Sequence, residues 1–361
     1  MLEECLSEEK KIIDEELKNY FKITLKSETI QNTLLVDFIK KVKEFLLPPS
    51  KSPKRLHPII LISAFSGIAN PHYVHEMMDD VRSISLAVEF LHNAKIMHDD
   101  LIDGDVTRRD APSYHIMWGN YLKETYTNKD FPDKEVAATE FGSTMAILGG
   151  SFTNFIGTQI LLNSRFDNEL KSKALAEYNE AANFITKGLI IEEFMFWNKI
   201  TMSLEQYLNI AELKTARLLE KSAKIGAILA KGNTLYQINH LSDAMMRTGQ
   251  AYSIKDDILD LEKDIMKGEK KFPYIICVQN TDEAQQKTLN ELYGRKDLSK
   301  SEVQEIINII EQTQAMLIAE QFAMNLISQA KTSLKKIYPA LNKKSEEFFN
   351  EFMDFGFKRK Y

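Results

Sequence analysis

Apolar residues recur at intervals of three and four along almost the whole 361-residue chain, and this spacing constrains the fold more than any other feature. Ser203 and Gln206 form a capping-box start, and apolar residues then follow at helical spacing as far as Leu219. Alternating strand patterns are not found, and 14 glycines and 9 prolines are too few for a turn-rich β fold. The pattern predicts one all-α domain of ten or more helices over residues 1–361.

A proline-rich segment, Pro48–Pro53, is the clearest break in this pattern. It separates an amphipathic N-terminal region, residues 1–50, from the rest of the chain. Because an amphipathic helix must bury its apolar face, we expect these N-terminal helices to pack on the core.

Charge and cysteine content exclude several function classes. A net charge of −6 argues against nucleic-acid binding through phosphate neutralisation. Two cysteines, Cys5 and Cys277, are too few for a disulfide framework or a zinc site, which is typical of a cytoplasmic protein.

The first residues lack the basic start and apolar run of a signal peptide. Residues 141–164 are uncharged, but thirteen of them are Gly, Ser, Thr, Asn or Gln, which predicts a buried core helix and no membrane span.

Two segments share the pattern Asp-Asp-x-x-Asp, and both follow helices with apolar periodicity. The first acidic cluster is Asp99, Asp100 and Asp103, and the second is Asp256, Asp257 and Asp260. On a helix this spacing places three like charges on one face, where they repel unless a cation compensates them. Carboxylate oxygens suit Mg²⁺ that is shared with substrate phosphates. We therefore prefer a metal site to the alternative of solvated acidic helix ends.

Basic residues flank the first cluster and extend this interpretation. His92 and Glu89 lie on the same helix face as the aspartates, at three- and four-residue steps. Guanidinium groups match phosphate oxygens well, and Lys214 lies inside an apolar stripe, where it needs an anion or an escape to solvent. Arg108 and Arg109 follow the cluster closely and are candidate phosphate ligands, while Lys51, Lys54 and Arg55 form a basic group before the apolar run that begins at Pro58. Taken alone, each of these basic residues is typical of a surface charge.

Taken together, these residues resemble the trans-isoprenyl diphosphate synthases, also called the polyprenyl synthetase family. The resemblance covers roughly residues 30 to 358. The motifs that carry it are Lys54–Pro58, Val88–Asp103, Arg108–Arg109, Lys214–Thr215, Ile254–Asp260 and the basic tail Gly268–Pro273.

The resemblance implies a helical fold around a deep central cavity, with the two acidic clusters facing each other across its mouth. It implies three Mg²⁺ ions that bridge the clusters to an allylic diphosphate, and a homodimer. Loss of diphosphate would leave an allylic cation, which isopentenyl diphosphate attacks to give a trans product longer by five carbons. The implied activity is that of a geranylgeranyl or longer polyprenyl diphosphate synthase.

The resemblance also implies roles for individual residues. The six aspartates and Lys214 would serve catalysis, and the aspartates would hold the metal ions. The implied substrate ligands are Lys54, Arg55, His57, His92, Arg108, Arg109, Lys214, Thr215 and Lys270. The implied chain-length pocket is formed by Leu91, Ala94 and Lys95. Because Ala94 is small, the resemblance implies products of twenty carbons or more.

Several positions depart from the family pattern. His57 stands where the family has a second arginine, and Glu192 stands where it has aspartate. Leu189 and Ser253 each replace a glutamine. Lys95 is a charged residue at a position implied to line an apolar tunnel, and helical spacing places it almost beneath Asp99, where we expect the two to pair.

Three alternatives remain beside the synthase interpretation. A terpene cyclase on the same scaffold would keep the ionising aspartates without needing isopentenyl diphosphate. A non-catalytic or partner-dependent subunit would also fit the departures. A di-iron site built on Glu89 and His92 is disfavoured, because no second Glu-x-x-His unit occurs in the sequence.

Overall fold

The protein is almost entirely helical in the computed structural model, which describes residues 2–31, 34–126, 131 and 133–358. The strands within these residues form a short ribbon in which the two-residue strand Thr107–Arg108 (β1) pairs antiparallel with the two-residue strand Ala111–Pro112 (β2). The predicted all-α fold of ten or more helices is confirmed.

The chain divides into two compact units. The first unit consists of Met1–Tyr178 and Ile228–Ala230, and the second of Asn179–Ala227 and Lys231–Tyr361. The single domain and the central cavity that we expected from the sequence stay predictions.

The first unit contains long helices that position the first acidic cluster. Asn70 caps α4 by accepting a hydrogen bond from the backbone N of Tyr73, with Pro71 at the first helical position. The N-terminal helix α1 packs against α4, with the Phe21 ring edge-on to Phe90 at 6.0 Å between centroids. The helices are α1 (Leu2–Gln31), α2 (Leu34–Leu46), α3 (Leu56–Ile68), α4 (Pro71–Ile102), α5 (Tyr114–Thr125), α6 (Lys134–Leu162) and the first part of α7 (Asn168–Trp197).

Helix α6 contains the uncharged stretch, and the prediction that it is buried is wrong for one of its faces. Its small residues lie against α4 and α5, where a Cβ on Gly149 or Gly150 would come within 2.3 Å of a neighbouring side chain. Several large apolar residues lie on the opposite face, and Leu148 and Phe155 are exposed there. Among the described helices, α6 is the one with the length and hydropathy to cross a membrane, although 39% of that window is buried inside the protein.

The second unit carries the second acidic cluster at the end of α10, which packs along α15. Helix α8 begins with the predicted capping box between Ser203 and Gln206. A π-helical turn, Glu212–Ala216, follows it, and another lies at Thr234–Ile238. The remaining helices are α8 (Leu204–Ala211), α9 (Arg217–Leu229), α10 (Asn239–Leu259), α11 (Leu261–Lys267), α12 (Phe272–Gln279), α13 (Glu283–Leu292), α14 (Lys300–Gln312), α15 (Ala315–Leu334) and α16 (Lys343–Lys358).

Candidate active site

The first acidic cluster occupies the last turn of α4. Asp100 is fully buried, and its Oδ1 accepts two hydrogen bonds from Arg108, one of them 2.9 Å from Nε. Burial raises the pKa of Asp100, although Arg108 opposes this shift. The second oxygen, Oδ2, is buried and accepts no hydrogen bond from the described residues. Asp103 ends the helix and is exposed. A buried carboxylate oxygen without a donor is well suited to a cation.

Lys95 pairs with this cluster, as its helical spacing predicts. Its Nζ lies 3.3 Å from Asp99 Oδ2, one helical turn away, and both side chains are largely buried. Lys95 and Arg108 therefore supply two positive charges to the three carboxylates of the first cluster. The other chain-length residues, Leu91 and Ala94, are buried on the same helix.

The second acidic cluster lies where α10 ends. Asp256 and Asp257 are half-buried, and Asp260 is exposed. The backbone N of Phe272 donates a hydrogen bond of 3.1 Å to Asp257 Oδ2. Burial raises the pKa of Asp257 to about 6, with Lys271 opposing the shift. A nearby cation would favour the charged form of this carboxylate.

Two lysines converge on Glu192 in the second unit. Lys271 Nζ lies 2.6 Å from Oε1 of Glu192, and Lys214 Nζ donates to Oε2. Although burial opposes it, Lys271 and Lys214 lower the pKa of Glu192 to about 2. Of the two outcomes expected for Lys214, an anion or an escape to solvent, the structure shows the anion, which is Glu192.

Sequence reasoning missed Lys271, although the adjacent Lys270 was a predicted substrate ligand. Lys270 Nζ donates to Thr201 Oγ1 at 2.9 Å and lies over the Tyr274 ring. The Lys-Lys pair in the basic tail was the available signal, but the sequence does not show which member faces Glu192. Thr215 is half-buried in the same π-helical turn as Lys214.

Arg55 is buried in a polar network within the first unit. Its guanidinium donates to Asp14 Oδ1 at 2.8 Å, to Glu89 Oε1 at 2.6 Å and to the Leu46 carbonyl at 2.6 Å. Glu89 is thus neutralised by an arginine, which makes it a poor iron ligand and removes the basis of the di-iron alternative. The assignment of Arg55 to substrate binding stays a prediction, because protein groups hold its guanidinium in this structure.

Arg109 differs from Arg55 because no carboxylate among the described residues forms an ion pair with it. Its guanidinium donates instead to Asn93 Oδ1 at 3.2 Å and to the Phe45 carbonyl at 3.4 Å. Burial lowers the pKa of Arg109 to about 10. Arg109 and Arg108 line a groove of about 330 Å³. A guanidinium held by neutral groups beside an open groove is suited to binding an anion.

His57 and His92 lie in ring contact, with centroids 4.4 Å apart and planes tilted by 38°. Burial lowers the pKa of His57 to about 4 and that of His92 well below its ordinary value. Lys54, the preceding member of the basic motif, is exposed. We refer to Lys54, His57, His92 and Arg109 as the basic half-site.

The donor groups fit a divalent cation that is shared with a substrate. No group of three or more Asp, Glu, His or Cys side chains is arranged as a complete metal site within the part of the chain that the structure describes. Mg²⁺ usually takes one or two carboxylates and completes its shell with water and substrate phosphates. The half-buried and exposed aspartates of each cluster, and the bare Oδ2 of Asp100, meet that requirement.

A helical protein with two acidic clusters and nearby basic side chains has the makeup of an enzyme that binds diphosphates through divalent cations. Comparison with known families gives the same answer. The sequence profile of the polyprenyl synthetase family matches residues 42–125 and 133–310. The chain belongs to the polyprenyl synthetase family.

Known proteins similar to this chain are isoprenyl diphosphate synthases. It is 26% identical over 320 residues to the geranylgeranyl diphosphate synthase of Saccharolobus solfataricus, covering 85% of this chain and 86% of that one. It is 25% identical over 322 residues to the geranylfarnesyl diphosphate synthase of Aeropyrum pernix, covering 85% and 90%. The geranylgeranyl pyrophosphate synthase of Corynebacterium glutamicum, solved with isoprenyl diphosphate and magnesium, shares the fold with a TM-score of 0.86 at 17% identity, covering 98% and 99%.

These comparisons confirm the predicted family, and the fold of the solved structure agrees with the all-α class. They also confirm the prenyltransferase class, and they do not favour the cyclase or the partner-dependent subunit. The role of each site residue, the number of metal ions and the dimer stay predictions.

Proposed function

We propose that this protein is a Mg²⁺-dependent trans-prenyltransferase that condenses isopentenyl diphosphate with an allylic diphosphate. The product is a trans-polyprenyl diphosphate of twenty carbons or more, as the names of its relatives suggest. The observation that carries the proposal is the pair of Asp-Asp-x-x-Asp clusters: the first has the buried Asp100 beside Arg108, and the second has the half-buried Asp257 beside Lys271. The proposal keeps the cytoplasmic location that the sequence predicts.

The reaction breaks the bond between the allylic carbon and the diphosphate oxygen, and the diphosphate leaves with the electron pair. The double bond of isopentenyl diphosphate then attacks the allylic carbon, and loss of a proton restores a double bond. Bound Mg²⁺ would stabilise the charge that develops on the leaving diphosphate. The residues that would hold it are Asp99, Asp100, Asp103, Asp256, Asp257 and Asp260.

The basic side chains have separate tasks in this proposal. Glu192 pairs with both Lys214 and Lys271, and against the effect of burial it helps to hold the pKa of Lys271 well above its ordinary value. Both lysines would bind the allylic diphosphate. Arg108 holds Asp100 in place and neutralises part of its charge. Arg109, Lys54, His57 and His92 bind isopentenyl diphosphate at the basic half-site.

Product analysis of the purified protein tests this function. Labelled isopentenyl diphosphate is supplied with primers of increasing length, and the dephosphorylated products are separated by chromatography. We expect elongation that stops when the metal is chelated. Cyclic hydrocarbon formed from farnesyl or geranylgeranyl diphosphate alone would instead identify a cyclase. Absence of elongation by the isolated chain would identify a partner-dependent subunit.

Side-chain size at position 94 is expected to set product length. Ala94 is buried on α4, five residues before the first aspartate. In Ala94→Leu and Ala94→Phe the added bulk would shorten the space for the growing chain, so the longest product should shorten in that order. Chromatography of the dephosphorylated products measures the change. An unchanged product distribution in both variants would show that Ala94 does not line the product site.

We further propose that the protein is a homodimer built on the exposed face of α6. Leu148, Phe155 and Leu162 repeat every seven residues and are all exposed, in a helix without charges from residue 141 onward. Exposed apolar stripes of this kind mark interfaces. A partner carrying the same stripe would cover it.

Sedimentation velocity tests the dimer directly. The wild-type protein should sediment as twice the chain mass of 41.5 kDa. Phe155→Glu should give the monomer, because it places a charge in the apolar stripe. Leu317→Glu, at an exposed leucine on α15, is the matched control and should remain dimeric. A monomeric wild-type protein would contradict the proposal.

A further inference from the structure

We propose that the basic half-site takes up a proton when it binds the diphosphate of isopentenyl diphosphate, and that the His57–His92 pair holds this proton. The identity of the substrate in this inference rests on the proposed function. Its consequence is that affinity for this substrate rises as the pH falls. A chain with arginine at position 57 would lack this dependence, since its guanidinium is always charged.

The geometry of the ring pair limits it to about one proton. With centroids 4.4 Å apart, two imidazolium rings would repel each other strongly unless an anion lay beside them. Both rings are half-buried, so the charged form of either ring is less well hydrated than it would be in water. One proton shared by the pair, next to a diphosphate, avoids both costs.

The charges around the pair keep it neutral while the half-site is empty. Burial lowers the pKa of His57 to about 4, with Lys95 adding to the effect and Glu89 opposing it. Burial is the largest cause that lowers the pKa of His92, and its neighbouring cations lower it further. The charged groups that act on the pair are Glu89 and Lys95 on α4 and Arg108 and Arg109 after it. Their ion-pair partners are Arg55 for Glu89, Asp99 for Lys95, and Asp100 and Asp105 for Arg108, while Asp14 on α1 pairs with Arg55.

The negative charges in this set are already committed. Asp14 and Glu89 both pair with Arg55, while Asp99 pairs with Lys95. Arg109 forms no ion pair with a carboxylate among the described residues, although the charge of Glu89 acts on it, so its charge is the least compensated of the cations beside the rings. A diphosphate would reverse the sign of this field at both rings. The pKa of the pair would then rise above that of the empty site, and binding would draw a proton from solution.

The sign of the pH dependence follows from these values. The empty His57 is neutral above about pH 4, and we expect bound diphosphate to raise the pKa of the pair so that it carries the proton at pH values where the empty pair is neutral. Between about pH 5 and 6.5, binding therefore consumes about one proton. The affinity should fall about tenfold for each unit of rising pH in that range.

Calorimetric titration with inorganic pyrophosphate in the absence of metal tests the inference without turnover. Proton uptake is obtained from binding heats in two buffers of different ionisation enthalpy, at pH 5.5 and 6.5. Pyrophosphate itself titrates near this range, so the wild type is compared with His57→Arg under identical conditions. We expect the wild type to take up about one proton more. Its affinity relative to His57→Arg should fall about tenfold between the two pH values.

His72→Gln is the matched control, because His72 is an exposed histidine on α4 outside the half-site. It should behave as the wild type, and circular dichroism establishes that each variant is folded. NMR titration of the histidine ring signals of the wild type, with and without pyrophosphate, needs no variant. One ring of the pair should titrate at higher pH when pyrophosphate is bound.

Equal pH dependence in the wild type and His57→Arg would overturn the inference, as would absence of pyrophosphate binding or unshifted ring signals. These outcomes are separate from those of the elongation assay. A protein that elongates without proton uptake would retain the proposed function and lose this inference. A protein that takes up the proton without elongating would retain this inference and lose the proposed function.

Discussion

Asp99→Ala and Asp256→Ala are each expected to lower the rate of elongation by about a thousand-fold while the helical fold is retained. Each substitution removes a charged oxygen ligand from one acidic cluster, so the leaving diphosphate would lose part of its stabilisation. Both carboxylates are incompletely buried, so their loss should disturb packing little. Single-turnover elongation with labelled isopentenyl diphosphate measures the rate, and circular dichroism measures the helix content.

Carboxylates outside the clusters provide controls for this experiment. Asp110→Asn removes an exposed acidic group close to the first cluster in sequence, and Glu262→Gln does so just after the second. Both variants should elongate within a few-fold of the wild type. Near-normal turnover in Asp99→Ala or Asp256→Ala would show that the site assignment is wrong.

Arg55→Met is expected to lower the free energy of unfolding by about 3–5 kcal/mol, because it leaves two acidic partners without their cation. The Arg55 side chain is fully buried, and its partner Glu89 is 1% exposed. Arg55, acting against the effect of burial, helps to keep the pKa of Glu89 below its ordinary value. Without Arg55, the protein must either bury an unpaired charge or protonate Glu89. Urea denaturation followed by circular dichroism measures the loss.

An exposed arginine pair provides the contrast. Arg165 Nε donates to Asp80 at 2.7 Å, but the Arg165 side chain is 73% exposed. Arg165→Met should therefore change the midpoint of urea denaturation much less than Arg55→Met does. Adding Glu89→Leu to Arg55→Met should recover part of the stability, since the buried charge is removed as well. Similar small losses in Arg55→Met and Arg165→Met would contradict a structural role for Arg55.

Local spacing predicted those features that depend on neighbours along the chain. The helices follow from apolar periodicity, the start of α8 from its capping box, and the contact between Lys95 and Asp99 from a single helical turn. The need of Lys214 for either an anion or an escape to solvent also followed from its place in an apolar stripe. These predictions involve residues whose environment is set within one helix.

Features that depend on distant residues could not be predicted in the same way. Arg55 was expected to bind substrate, yet its partners Asp14 and Glu89 lie 41 and 34 residues away along the chain. The pairing of Lys271 with Glu192 spans 79 residues, so the sequence alone could not distinguish Lys271 from Lys270. The exposed face of α6 was missed because the prediction used the composition of the whole segment. Composition does not show that the small residues lie on one face and several large apolar residues on the other.

Both acidic clusters are proposed to bind divalent cations for one diphosphate. A crystal structure of the wild-type protein grown with Mn²⁺ and an unreactive allylic thiodiphosphate tests it most directly, because anomalous scattering locates the metal. We predict Mn²⁺ about 2 Å from carboxylate oxygens of the Asp99 cluster and of the Asp256 cluster. A structure in which the analogue is bound while either cluster is without metal would contradict the account.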